Sequence, residues 1–234
     1  MTTPSKGGAE GAAAAPAESA SPRPVARLLG DANDGNAIGM TNRIAGIVSD
    51  SIEVKRRYFA EHAEDVVRAA SMIAAAFSTG GKLLLCGNGG SSTDAQHVAG
   101  EFVNQFGARK RRALPALALS TDGGVVTSIG NDTGFENVFS RQVEAFGERG
   151  DVLLAISTSG MSANVVRACE AARARELKVI GLLGRDGGTI APLCDLALVV
   201  PSDDTQRIQE THNIVGHILC ELVEHTLFPG ERGD

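Results

Sequence analysis

Asp151-Val-Leu-Leu-Ala-Ile-Ser-Thr-Ser-Gly-Met-Ser162 decides how this chain folds. Its first half is an unbroken apolar run, and its second half is a run of hydroxyls around one glycine. A strand with apolar residues on both faces belongs inside a sheet covered on both sides, whereas a half-exposed strand alternates. Ser162 to Glu176 then reads as a helix, so the stretch is a strand, a polar turn and a helix start. The same grammar recurs along the chain. Lys82–Cys86, Pro115–Leu119, Lys178–Leu183 and Asp195–Val200 read as further strands. Helical patterns lie between them, at Thr93–Phe106 and across Val125–Gly147, and Thr205–Leu227 reads as a long final helix. Strands alternating with helices predict an α/β fold, a doubly wound five-stranded parallel sheet flanked by helices.

Two more helices are predicted ahead of the sheet. Ile44, Ile47, Val48, Ile52 and Val54 form one apolar stripe, and Phe59, Val66, Val67, Ala70, Ile73 and Phe77 form another. Gly80-Gly81 should stop the second. Residues 1–37 are mostly Ala, Pro, Gly and Ser, too poor in large apolar side chains to offset the entropy of ordering, and read as a disordered tail. Residues 38–230 read as a single domain.

Composition narrows the function. The net charge of −6 argues against nonspecific attraction to nucleic acid. No apolar run approaches the roughly 20 residues of a membrane span, and the Ala-rich N-terminus is too broken for a signal peptide. The four cysteines are scattered, with no CxxC pair, and read as reduced thiols of a cytoplasmic protein.

In a doubly wound sheet, ligands bind beyond the C-terminal ends of the strands. Two loops fall there. Ser157-Thr-Ser-Gly-Met-Ser162 offers four hydroxyls at a helix start, where one suffices for a cap, and this predicts a phosphate cradle. Gly87-Asn-Gly-Gly-Ser-Ser92 is the weaker sign, because glycines also serve bare turns. Neither loop has the P-loop or dinucleotide-binding pattern, so no nucleotide cofactor is expected. His97 and Glu101, four apart, project from one face of the helix after the first loop. They form a surface ion pair, a catalytic pair, or half of a zinc site. On the final helix Gln209 and His217 lie roughly 80° apart around the axis and can border one pocket. His212 and His225 read as solvated.

Leu85-Cys-Gly-Asn-Gly-Gly-Ser91, Asp94-Ala-Gln-His97, Gly100-Glu-Phe102, Gly130-Asn-Asp132, Gly150–Gly160 and Arg207-Ile-Gln-Glu210 with His217 together resemble the sedoheptulose-7-phosphate isomerases of the sugar-isomerase (SIS) domain superfamily. The resemblance runs from about Ser51 to Phe228. It implies an aldose–ketose isomerase that converts sedoheptulose 7-phosphate to D-glycero-D-manno-heptose 7-phosphate for ADP- or GDP-heptose biosynthesis. It also implies a homotetramer with interfacial active sites. Glu101 and His217 match the acid–base pair. Asn88 and Asp132 match sugar contacts, and Ser157, Thr158, Ser159 and Ser162 match the phosphate site. Gly89, Gly90, Ser91 and Gln209 complete the expected substrate contacts. Some members hold zinc with residues matching His97, Glu101, Gln209 and His217, and all four are present.

One departure is Gln105, where several relatives carry Arg. The basic run Arg109-Lys-Arg-Arg112 that follows is either a substitute or a solvated loop. A similar ending, His225-Thr-Leu-Phe-Pro229, occurs in a replication-initiator-associating relative without catalytic function. Retention of Glu101 and His217 disfavours that reading. A sugar-phosphate-sensing regulator would need a fused DNA-binding domain, and the tail shows no helix-turn-helix pattern. An isomerase of another sugar phosphate is a further alternative.

Overall fold

A computed structural model describes residues 34–108 and 110–231. The chain divides between Ile44 and Ala45, and the sheet and everything built on it lie on the Ala45 side, seven residues into the expected domain. Of the predicted tail, residues 1–33 lie outside the described part, and 34–37 already belong to a helix.

That helix, α1 (Asp34–Ser78), is continuous where two helices were expected. Val54-Lys-Arg-Arg-Tyr-Phe59 contains no Gly, Pro or capping residue, so nothing in the backbone ends the first segment. What changes along α1 is the face that is covered. Ile47, Val48 and Ile52 are exposed, whereas Tyr58, Val66, Ala70, Ile73 and Phe77 are buried. The stop falls where the paired glycines predict it. Gly80 takes φ +85°, and Gly81 N–H reaches back to Ala76 O at 2.8 Å. This left-handed ending satisfies carbonyls that the last helical turn leaves free.

The sheet contains β1 (Leu83–Gly87), β2 (Ala116–Ala118), β3 (Val152–Ser157), β4 (Lys178–Gly184) and β5 (Leu196–Val200), all parallel, in the order β2-β1-β3-β4-β5. The apolar runs alternate faces as the pleat requires. Leu83, Leu85, Val152, Leu154 and Ile156 pack under α1, α2 (Gly90–Val103) and α6 (Thr205–Leu227). Leu84, Cys86, Leu153 and Ala155 pack on the other face, against α4 (Ser140–Phe146) and α5 (Ala163–Ala174). The helical stretches predicted across Val125–Gly147 are two: α3 (Gly123–Thr133) ends at Gly134, where φ is +98°, and α4 starts six residues later. All four cysteines are free. Among the described residues no helix is long and apolar enough to cross a membrane.

The strand order fixes where a ligand can sit. From β1 the chain moves outward to β2 and then returns to β3 on the other side of β1. Gly87 pairs with Ile156 in that register. The loops after β1 and β3 therefore open side by side at the topological switch point. These are the two loops singled out from the sequence.

Candidate active site

The loop after β3 gathers its hydroxyls. Ser157 Oγ lies 3.4 Å from Ser159 Oγ and 3.2 Å from Ser162 Oγ. Ser162 is the N-cap of α5, yet its side chain makes no capping hydrogen bond. The hydroxyls face one another, and although Val165 N–H already donates to Ser162 O at 3.0 Å, the Ala163 and Asn164 N–H groups that open the helix remain for an anion. Gly160 closes the loop at φ +65°, and a Cβ there would sit 2.4 Å from the carbonyl carbon of Gly187. Thr158 is half-buried beside Gly184. Across the switch point, Asn88 exchanges two 2.8 Å amide hydrogen bonds with Asn164 of α5. Ser91 is buried in the first turn of α2, and Ser92 donates to Ser120 at 2.7 Å.

Helices α2 and α6 bring the candidate chemistry together. A Cβ on Gly216 would lie 2.8 Å from Val98 Cγ2, so the two helices approach closely there. Each glycine-or-valine neighbour is a histidine. His217 Nε2 stands 3.3 Å from His97 Nε2, with the rings edge-on at 4.9 Å between centroids. His97 Nε2 is also 3.1 Å from Glu101 Oε1. Gln209 Nε2 donates to Asp94 Oδ2 at 3.3 Å, and its amide packs against Gly90, where a Cβ would come within 2.1 Å of Nε2. Burial raises the Asp94 carboxyl above its ordinary value, and the amide hydrogen bonds from Gln209 and Asn213 offset only part of that. Asp94, Gln209, Asn213 and Lys55 line a groove of about 630 Å³.

Three atoms, Glu101 Oε1 and the two Nε2, pose a proton problem. If His97 Nε2–H donates to Glu101, it has no lone pair for His217. If it accepts from His217, its one lone pair is spent and nothing is left to bond Glu101. A cation removes the conflict. The 3.1 and 3.3 Å separations match the edge of a tetrahedron with ligand bonds near 2.0–2.1 Å, which is about 3.3 Å. The donor set thus fits zinc chemistry. As it stands, no group of three or more His, Cys, Asp or Glu among the described residues is arranged to hold a metal ion. Gln209 is turned to Asp94.

The expected residues do not all converge. Asp132, exposed near the end of α3, accepts from Asn131 Nδ2 (2.8 Å) and from no other group among the described residues. His212 corrects its expectation. It is 1% exposed and 3.0 Å from Leu183 O, because α6 turns it onto the sheet with Ile208 and Val215. Burial pushes its imidazole down to about 4. His225 is exposed as expected.

The basic run does not replace the missing arginine through Arg111. Its side chain is fully buried and pairs with the Glu224 carboxylate. It also donates to the carbonyls of Glu101 (2.6 Å) and Phe102 (2.9 Å). Arg112 donates to Phe77 O, Lys110 is exposed, and Arg109 lies outside the described residues. Neither Glu224 nor Phe106, which lies against His217, was anticipated. A glutamate next to Val223, in register with the buried Cys220, was the available signal: a charge on an apolar face calls for a buried partner.

The SIS domain family model matches residues 48–184. The chain is 53% identical over 185 residues to the phosphoheptose isomerase of Solidesulfovibrio magneticus, covering 79% of this chain and 90% of that protein. It is 47% identical over 197 residues to that of Clostridium acetobutylicum, covering 83% and 100%. Among solved structures, phosphoheptose isomerase GmhA from Neisseria gonorrhoeae aligns with a TM-score of 0.75 at 44% identity, over 79% of this chain and 98% of that one. A phosphoheptose isomerase from Francisella tularensis aligns with a TM-score of 0.77 at 37% identity, over 80% and 98%.

Proposed function

Because the chain belongs to the SIS-domain family of phosphoheptose isomerases, we propose that it interconverts sedoheptulose 7-phosphate and D-glycero-D-manno-heptose 7-phosphate, with Glu101 and His217 as its acid–base pair. The observation that carries this reading is the meeting of Glu101, His97 and His217 across α2 and α6. Glu101 removes a C1 proton from the open-chain ketose and returns it to C2 of the enediol. Its Oε1 faces His97, which leaves Oε2 for the substrate. His217 carries the proton that leaves O1 to O2, so the ketose carbonyl at C2 becomes the aldehyde at C1. Ser157, Thr158, Ser159 and Ser162, with the Ala163 and Asn164 N–H groups that open α5, hold the phosphate. Anchoring that remote end turns binding energy into orientation of C1. Asn88, Asp132, Gln209 and the Gly89-Gly90-Ser91 turn contact the sugar.

His97, Glu101, Gln209 and His217 are the residues that would hold Zn²⁺, which as a Lewis acid would polarise the substrate oxygens. Proton NMR of the protein with sedoheptulose 7-phosphate in D₂O tests both parts. New aldose anomeric signals are expected; they should disappear with a chelator and return with zinc. No conversion from folded protein overturns the isomerase. Undiminished conversion under chelation overturns the metal.

The working form is proposed to be a cytoplasmic homotetramer with sites shared between subunits. Supporting this, Ile47, Val48 and Ile52 are 44–61% exposed along α1, and Ala45, Val48, Ser49 and Ile52 border an apolar groove of about 470 Å³. Asp132, which has no partner in the cluster, is then available to a neighbouring subunit's site. The Ile52→Glu variant should elute at a smaller mass in light scattering; an unchanged mass sinks this role for the stripe.

A further inference from the structure

Phe106 has no role in the reading above, yet its ring lies against the His217 imidazole, 5.6 Å between centroids and tilted by 34°. It remains 37% exposed, so burial alone does not account for its place. The ring also borders a cleft of about 480 Å³, together with Gly107, Ala108, Glu224 and Phe228, so it is not packed in on every side. What holds the ring is its own backbone. The Glu224 carboxylate accepts from the N–H groups of Phe106 (2.9 Å), Gly107 (2.8 Å) and Ala108 (2.8 Å), and from the Arg111 guanidinium. Glu224 follows His217 on α6 by seven residues, about two turns, so both project toward the same loop. Arg111 reaches onward to the backbone carbonyl of Glu101. One buried ion pair thus ties the phenyl ring, the end of α2 and α6 into a fixed frame. The imidazole contacts both rings, His97 edge-on and Phe106 at a tilt.

We propose that Phe106 is a positioning residue, a wall that fixes the His217 ring plane so that Nε2 points at His97, the partner of Glu101. This rests on the isomerase reading and adds to it a residue that need not touch substrate. The test compares the full-length parent with Phe106→Leu and Phe106→Tyr, measuring kcat, KM and melting temperature. Leucine keeps apolar bulk but gives no flat wall, and tyrosine keeps the wall. Phe106→Leu should lose on the order of 10- to 100-fold in kcat, the scale of a misplaced catalytic group. Its KM should stay within about two-fold and its melting temperature should hold, while Phe106→Tyr retains kcat within about two-fold. A parental kcat in Phe106→Leu overturns the proposal and leaves the isomerase standing. So does a change confined to KM, which would make the ring a substrate contact, or a Tyr variant as slow as the Leu variant. A parent with no activity overturns the isomerase reading and the proposal together.

Discussion

Replacing Glu101 by Gln should leave a folded protein that isomerises about 100- to 10,000-fold more slowly, the range a positioned general base contributes. The substitution keeps the size and shape of the side chain. It also keeps the backbone carbonyl that Arg111 binds, so the α2 terminus retains its anchor. Glu101 is only partly covered, and an amide there leaves no uncompensated buried charge. What disappears is the lone pair that takes the C1 proton. Aldose signals followed by NMR, with a thermal melt on the same sample, separate chemistry from folding. A folded Glu101→Gln protein within a few-fold of the parent rate would remove Glu101 from the mechanism.

The second large effect is on stability. Glu224→Ala should cost about 3–5 kcal/mol, because Arg111 would stay buried with no counter-charge and three backbone N–H groups would lose their acceptor. For a domain of this size that is a fall of roughly 6–20 °C in melting temperature. Burial by itself would raise the Glu224 pKa. The hydrogen bonds from Arg111 and from the N–H groups of Ala108, Phe106 and Gly107 outweigh burial and hold it below the ordinary carboxylate value. The carboxylate's contribution is therefore whole at neutral pH. It fades as acid passes below the value of an unfolded glutamate and then through the lowered folded one. Pairing Glu224→Leu with Arg111→Met should recover only part of the loss, since an apolar pair strands no charge but still leaves the three N–H groups without their acceptor. A single Glu224→Ala variant melting with the parent would show that the pair is not a structural brace.

The strands were legible because burial on both faces writes itself into a sequence as an unbroken apolar run. Leu83–Cys86 and Val152–Ile156 can be read in no other way beside helices of this length. The hydroxyl cluster of Ser157, Ser159 and Ser162 was legible too, since four hydroxyls in that loop exceed what a cap requires. The unity of α1 was not. Its apolar stripe moves from an exposed face to a covered one, and a shift of face looks in sequence like a break between helices. His212 was misread because periodicity cannot say how far round a helix the sheet reaches. The Arg111–Glu224 pair was the hardest to see. The partners are 113 positions apart, and only close packing of α2 and α6 brings them together. The His97–His217 contact depends on that same packing, set by Gly216, and sequence alone gave only two separate faces.

Gly90 shapes how this protein fails by mutation. Every missense change of a glycine codon installs a Cβ, and the atom it would strike is the free end of the Gln209 side chain. The backbone at Gly90 is ordinary first-turn helix, so the altered chain still folds. Gln209 can swing away, and only its proposed place in the site is lost. Null alleles that still accumulate normal amounts of protein should therefore recur at this codon, whereas changes at Glu224 or Arg111 should lower abundance as well.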